Sequence, residues 1–197
     1  SETFVVTEIN ALVKAGHKVS VITFENLNTS ANLDSSVNVI IIKKSFSAAA
    51  KFAMSKPLVA LNAAKIAFRF TSISAMSLLG YGLNIAEIIK RHGISHIHCH
   101  FMHAPLAYSI VASKIAGISV SSIGHGHDVY VNDTDLKLKL SLCDFSVAVC
   151  KDMAQKLSNY KVGKVELLHC GVDLSLFSST PNRLHESVKL LFIGRLV

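Results

Sequence analysis

Four of the chain's ten histidines, His96, His98, His100 and His103, fall between residues 96 and 103, with Cys99 among them. In an extended segment alternate side chains share a face, so His96, His98 and His100 would point together and have the donor chemistry to hold zinc. That arrangement makes a zinc-dependent hydrolase one alternative function for the chain, a non-catalytic glycan- or membrane-binding module being another. Two other readings use the same residues: imidazoles hydrogen-bonded within the fold, or substrate contact through the turn from His100 to His103. No HxxE or HExxH grouping accompanies the cluster, which leaves a metal hydrolase without its usual acidic partner.

A second segment, Gly124-His125-Gly126-His127-Asp128, sets two histidines among small residues. Glycines let a ligand approach the backbone closely, and an imidazole can donate to a hydroxyl or to a developing charge. Either His125 or His127 is expected to be functional. His169-Cys170-Gly171-Val172-Asp173, with Phe177 beyond it, reads first as a glycine turn after a strand. Gly194-Arg195 would suit a phosphate, since a guanidinium grips two oxygens at once.

The elements around these segments alternate. Residues 3–15 carry Phe4, Val5, Ile9, Leu12 and Val13 near helical spacing and stop at Gly16, with Ser1 as a cap and Glu2 in the first turn. Residues 19–24 and 37–42 read as apolar strands. Further on, helices are expected at 85–91, 105–116, 133–142 and 151–159, and strands at 94–99, 118–123, 145–149 and 164–168. This order predicts an α/β fold with a doubly wound parallel sheet, whose ligands bind at the carboxyl ends of the strands. The histidine segments fall at such ends. The first strand of such a sheet is expected before Ser1. Residues 1–178 form the domain, 179–187 a linker and 188–197 the opening strand of a second domain, so both ends are expected to be cut.

Composition narrows the partners. Half of the residues are hydrophobic, enough for a sizeable core, and no run approaches the roughly 18 apolar residues of a membrane-spanning helix. The widely spaced Cys99, Cys143, Cys150 and Cys170 fit neither a CxxC knuckle nor a disulfide scaffold, so reduced thiols in a cytoplasmic protein are expected. The net charge of +7 is uneven: no acidic residue lies between Ser35 and Ala86, where Lys43, Lys44, Lys51, Lys56, Lys65 and Arg69 alternate with large apolar side chains. Such a stretch suits the surface of an anionic membrane, and equally suits helices packed on a core with solvated lysines. No nucleic-acid motif accompanies it, and nucleic acid is not expected as a partner.

Taken in order, the segments resemble the retaining glycosyltransferases of family 4, which have the two-domain GT-B architecture with Rossmann-like halves. Ser1-Glu2-Thr3-Phe4, Glu8, Leu12 and Ala15-Gly16-His17-Lys18-Val19 look like the first helix of bacterial members that build exopolysaccharide of the colanic-acid type or lipopolysaccharide. His96-Ile97-His98-Cys99-His100-Phe101 and Ser122-Ile123-Gly124-His125-Gly126-His127-Asp128 resemble their central strands. Leu168-His169-Cys170-Gly171-Val172-Asp173 with Phe177 is similar to their NGVD motif, and Leu191-Phe192-Ile193-Gly194-Arg195-Leu196-Val197 to their FVGRL entry into the second domain.

The resemblance implies transfer of a hexose-type sugar from a nucleoside-diphosphate donor, a nucleotide sugar, to a glycan or lipid-linked acceptor, with no metal or other cofactor. It makes His125 the catalytic residue facing the donor sugar, and Gly194 and Arg195 the donor diphosphate grip. Ser1, Glu2 and Thr3 fall where the loop after the first strand meets the cleft; His103 and Asp128 are the remaining substrate-binding candidates. A cytoplasmic enzyme, peripheral at the inner face of the membrane, is implied. The 197-residue chain by itself is expected to be inactive, because the lysine and E-x7-E motif that complete the family's donor site would lie beyond Val197. Two departures stand out: Cys150 replaces a common helix-capping serine, and His169-Cys170 the usual asparagine.

Overall fold

A computed structural model describes residues 3–24, 32–42 and 54–171. The expected linker at 179–187, the strand at 188–197, and Ser1, Glu2, Val172, Asp173, Phe177, Gly194 and Arg195 lie outside these, as do Lys43, Lys44 and Lys51.

The chain is α/β with parallel sheets. It begins with helix α1 (Thr3–Lys14), strand β1 (Ser20–Thr23) and strand β2 (Asn38–Ile41), which pair in parallel as a two-stranded sheet. Helices α2 (Pro57–Ala67) and α3 (Ala75–His92) follow. A four-stranded parallel sheet then forms in chain order from β3 (His96–His100), β4 (Ser119–Ile123), β5 (Phe145–Ala148) and β6 (Val165–Leu167). Helix α4 (Ala104–Ala116) crosses from β3 to β4, α5 (Gly126–Tyr130) and α6 (Leu136–Leu142) from β4 to β5, and α7 (Lys151–Ser158) from β5 to β6.

Helix α4 is the central covering helix. Leu106, Ala107, Ile110 and Val111 are fully buried on it, and residues of α2, α3, α6 and α7 share the same core. Helix α3 crosses α4 so closely that a Cβ at Gly82 would lie 2.6 Å from Val111 Cγ1. A smaller cluster of Ile42, Ile85, Ile89 and Ala112, with Ile22 packed on it, joins the β1–β2 pair to α3 and α4.

Helix α3 is longer than the expected 85–91. Ser74 caps its start, its Oγ accepting from the Ser77 N–H at 3.3 Å, and Gly93 ends it in the left-handed conformation at φ 63°. The helix expected from 133 begins only at Leu136, because Asp135 before it is left-handed at φ 60°. Its carboxylate accepts from the N–H and hydroxyl of both Thr71 and Ser72, tying the start of α6 to the turn before α3. Burial raises the Asp135 pKa, but these hydrogen bonds outweigh it and hold the group at about 2. Strand β4 is less apolar than a doubly covered strand usually is, since Ser121 and Ser122 are fully buried. Their hydroxyls are satisfied: Ser122 Oγ lies 3.2 Å from Ser146 Oγ, and Ser121 meets two histidines of β3.

All four cysteines are free thiols. Burial pushes Cys99 up to about 12 and Cys143 to about 11, so neither is a thiolate at neutral pH.

Candidate active site

The site lies where β3 and β4 end side by side. Their register pairs His96 with Ser119, His98 with Ser121 and His100 with Ile123, so both strands release their loops at the same level. After His100 the chain turns through Phe101, a bulky residue held at φ 69°. Its N–H donates to Ile123 O at 3.2 Å. Backbone strain of this kind costs on the order of 1–3 kcal/mol and persists where the surroundings enforce it. The turn delivers His103 to the start of α4.

Strand β4 ends at Gly124, whose N–H donates to Val147 O at 2.9 Å. A Cβ there would sit 2.9 Å from Val129 Cγ2, 3.2 Å from Met153 Sδ and 3.3 Å from Met102 Cε, so packing requires this glycine. Gly126 has nothing within 4 Å of its missing Cβ and is the one that leaves room. Between them His125 stands at the start of α5. Asp128 is fully buried; one oxygen accepts from the His125 N–H at 2.8 Å and the other from the Met102 N–H. A single carboxylate thus ties the loop carrying His103 to the loop carrying His125. Expected as a substrate contact, Asp128 instead holds the loops from beneath.

Three aromatic rings surround His125. Phe4 lies 4.9 Å away between centroids and Phe101 4.5 Å, while His100 stacks at 6.0 Å with planes 17° apart. Phe4 comes from α1, and one turn later on the same face is Glu8. Its Oε1 lies 3.7 Å from Nε2 of His98 and 3.7 Å from Nε2 of His100. Burial is the main reason that both imidazoles are depressed to about 4; Glu8 opposes it at His98, and the neighbouring His125 reinforces it at His100. Both rings are therefore neutral at pH 7.

His96 does not join them. Its Nδ1 is 2.6 Å from Ser119 Oγ and its Nε2 2.7 Å from Ser121 Oγ, which engages both ring nitrogens. The anticipated trio of His96, His98 and His100 is thus replaced by His98, His100 and Glu8. His103 and His127 meet each other, Nε2 to Nδ1 at 3.2 Å. Thr3 opens α1, one residue from Phe4. His169 donates from Nδ1 to Val149 O at 2.9 Å, the structural role expected of it. Phe4, Phe101 and Glu8 were not anticipated as site residues. The four-residue spacing of Phe4 and Glu8 puts them on one helix face but gives no hint of what that face meets.

The model for Glycosyltransferase Family 4 matches residues 1–176. The chain belongs to this family. No match was found among curated proteins. A family 4 domain acts in glycosyl transfer, with a sugar donor and an acceptor as substrates. The zinc-hydrolase reading gives way to this assignment, and the paired ends of β3 and β4 become the place to look for the sugar.

Proposed function

We propose that the protein containing this chain transfers a hexose-type sugar, with retention, from a nucleoside-diphosphate donor to a glycan or lipid-linked acceptor. The observation that carries the reading is His125, held at the carboxyl end of β4 by its own N–H to Asp128 and flanked by Phe4, His100 and Phe101. An imidazole fixed this way donates to a sugar hydroxyl, or to the charge that builds as the donor bond lengthens, without reorganising in the transition state. His103 contacts the acceptor side, and Ser1, Glu2 and Thr3 are further substrate-binding residues. Gly194 and Arg195 grip the donor diphosphate, supplying the cation that a phosphate leaving group needs.

The test is a transfer assay on the full-length enzyme with a panel of labelled nucleotide sugars, and NMR of the product's anomeric centre. Retention is expected, and His125→Ala should lower kcat by about 10²–10³-fold. An inverted product, or a His125→Ala enzyme with unchanged kcat, would overturn the reading.

A specific observation supports membrane contact as well. Among the described residues no helix is long and apolar enough to cross a membrane. Helix α2 buries Ala63 and Ala67 yet leaves Leu58 76% and Leu61 54% exposed, with Phe68 75% exposed just after it. Lys56, Lys65 and Arg69 are exposed beside them. A cationic rim around an apolar face suits adsorption to the cytoplasmic leaflet, where a lipid-linked acceptor would be met. Lys56→Glu, Lys65→Glu and Arg69→Glu together should abolish sedimentation with phosphatidylserine vesicles; unchanged sedimentation rules the contact out.

A further inference from the structure

We infer that Glu8, His98 and His100 form a binding site for one divalent transition-metal cation of the zinc class, which staples α1 to β3. One donor atom from each residue lies within 4.8 Å of the others. Nε2 of both histidines is 3.7 Å from the same oxygen, Glu8 Oε1. That gap is too long for a hydrogen bond. Two ligands each about 2.0–2.1 Å from a tetrahedral zinc lie roughly 3.3–3.4 Å apart, so a small closure of the Glu8 side chain brings it to ligand spacing from each histidine.

The polar atoms at this place otherwise have little to do. His98 Nε2, one of the two nitrogens facing Glu8, is buried and has no hydrogen-bond partner among the described residues. His98 is also oriented from behind: its Nδ1 lies 2.8 Å from Oγ of the buried Ser121. With Nδ1 donating to Ser121, Nε2 turns a lone pair toward Glu8, the outer-shell arrangement typical of metal-binding histidines. Ser121 Oγ also meets His96 Nε2, and a serine has one hydroxyl proton, so at least one of the two imidazoles must donate to it.

Two neutral imidazoles and one carboxylate favour a borderline cation over magnesium or calcium, which prefer all-oxygen shells. Three protein ligands leave a fourth position for water or another donor. The ion would fix the face of α1 that presses Phe4 against His125, and the ring of His100 that stacks on it. It is a positioning ion and needs no part in the transfer step.

The experiment is calorimetric titration of the metal-stripped 197-residue chain with Zn²⁺ alone, repeated with Co²⁺ to follow its visible absorption. One equivalent is expected, with the absorption of a low-coordinate nitrogen and oxygen site. Glu8→Gln should weaken it by about a hundredfold or more, beyond the 10–100-fold typical of outer-shell changes. His98→Ala and His100→Ala should abolish it. His103→Ala with His127→Ala removes the other histidine pair and should leave binding intact. Should the β3 variants fail to fold by circular dichroism, Glu8→Gln decides, because Glu8 is on a partly exposed helix face. Absence of stoichiometric uptake, uptake that survives Glu8→Gln unchanged, or loss that follows the His103 and His127 variants instead, would overturn the site.

Discussion

Replacing Gly124 with alanine separates two reasons for having a glycine beside His125. The new Cβ would stand 2.9 Å from Val129 Cγ2, where carbon atoms ordinarily rest about 3.5–4.0 Å apart. Val129 is fully buried on α5, the helix that begins beside His125, so roughly 0.6–1 Å of room must come from that helix. Met153 and Met102 are also in contact, but the atoms nearest the Cβ are the ends of flexible side chains. Overpacking of this kind costs about 1–3 kcal/mol, offset by about 0.4–1 kcal/mol from the stiffer unfolded chain. A net loss of about 1–2 kcal/mol is expected for Gly124→Ala by equilibrium urea unfolding. Val129→Ala creates a cavity of its own, yet it removes the clashing methyl, so the double variant should be more stable than the sum of the singles by about 1 kcal/mol. If the glycine served ligand approach alone, stability would hold while KM rose in the full-length enzyme. A Gly124→Ala chain as stable as the parent, or a strictly additive double variant, refutes the packing argument.

Asp135→Asn should tolerate the left-handed backbone, yet leave one uncharged acceptor oxygen where two charged ones serve the N–H and hydroxyl groups of Thr71 and Ser72. With a folded pKa of about 2 against an unfolded 3.8, the carboxylate's contribution is complete above about pH 5 and is lost as pH falls through 4 toward 2. After allowance for its exposure, a deficit of about 1 kcal/mol at pH 7 that closes near pH 2 is expected in pH-dependent urea unfolding. A pH-independent deficit would contradict it. Cys150 starts α7 without a side-chain capping bond. Cys150→Ser supplies one and should raise stability by about 0.5–2 kcal/mol in the same assay, whereas a neutral or destabilising result would show that the cap has no room for it.

The alternation of strands and helices was legible because hydrophobic runs broken by Gly93 and Gly117 are local signals, and both glycines are left-handed helix ends. The early part of α3 was not. Ser77, Gly80 and Gly82 are poor helix formers, and only the close crossing against Val111 shows why glycine is used at position 82. Helix α2 was legible as a basic, apolar stretch but not as a defined helix. In the site, the segment at His125 announced itself through its glycines, though packing explains Gly124 and room explains Gly126. Phe4 and Glu8 meet the ends of β3 and β4 across roughly 90 to 120 residues of chain, and no local pattern encodes such a meeting. The division of labour among His96, His98 and His100 was likewise hidden, since it depends on serines of a neighbouring strand.

Strands β3 to β6 lie beside one another in the order in which they are synthesised. Each new strand therefore docks on an edge already built, and closing its loop requires only the intervening crossover to collapse. The ledge that supports His125 can form without waiting for the remainder of the polypeptide. The contribution of α1 is different: Phe4 and Glu8 precede their partners by roughly ninety residues or more, so the aromatic enclosure cannot close until β3 and β4 are available to α1.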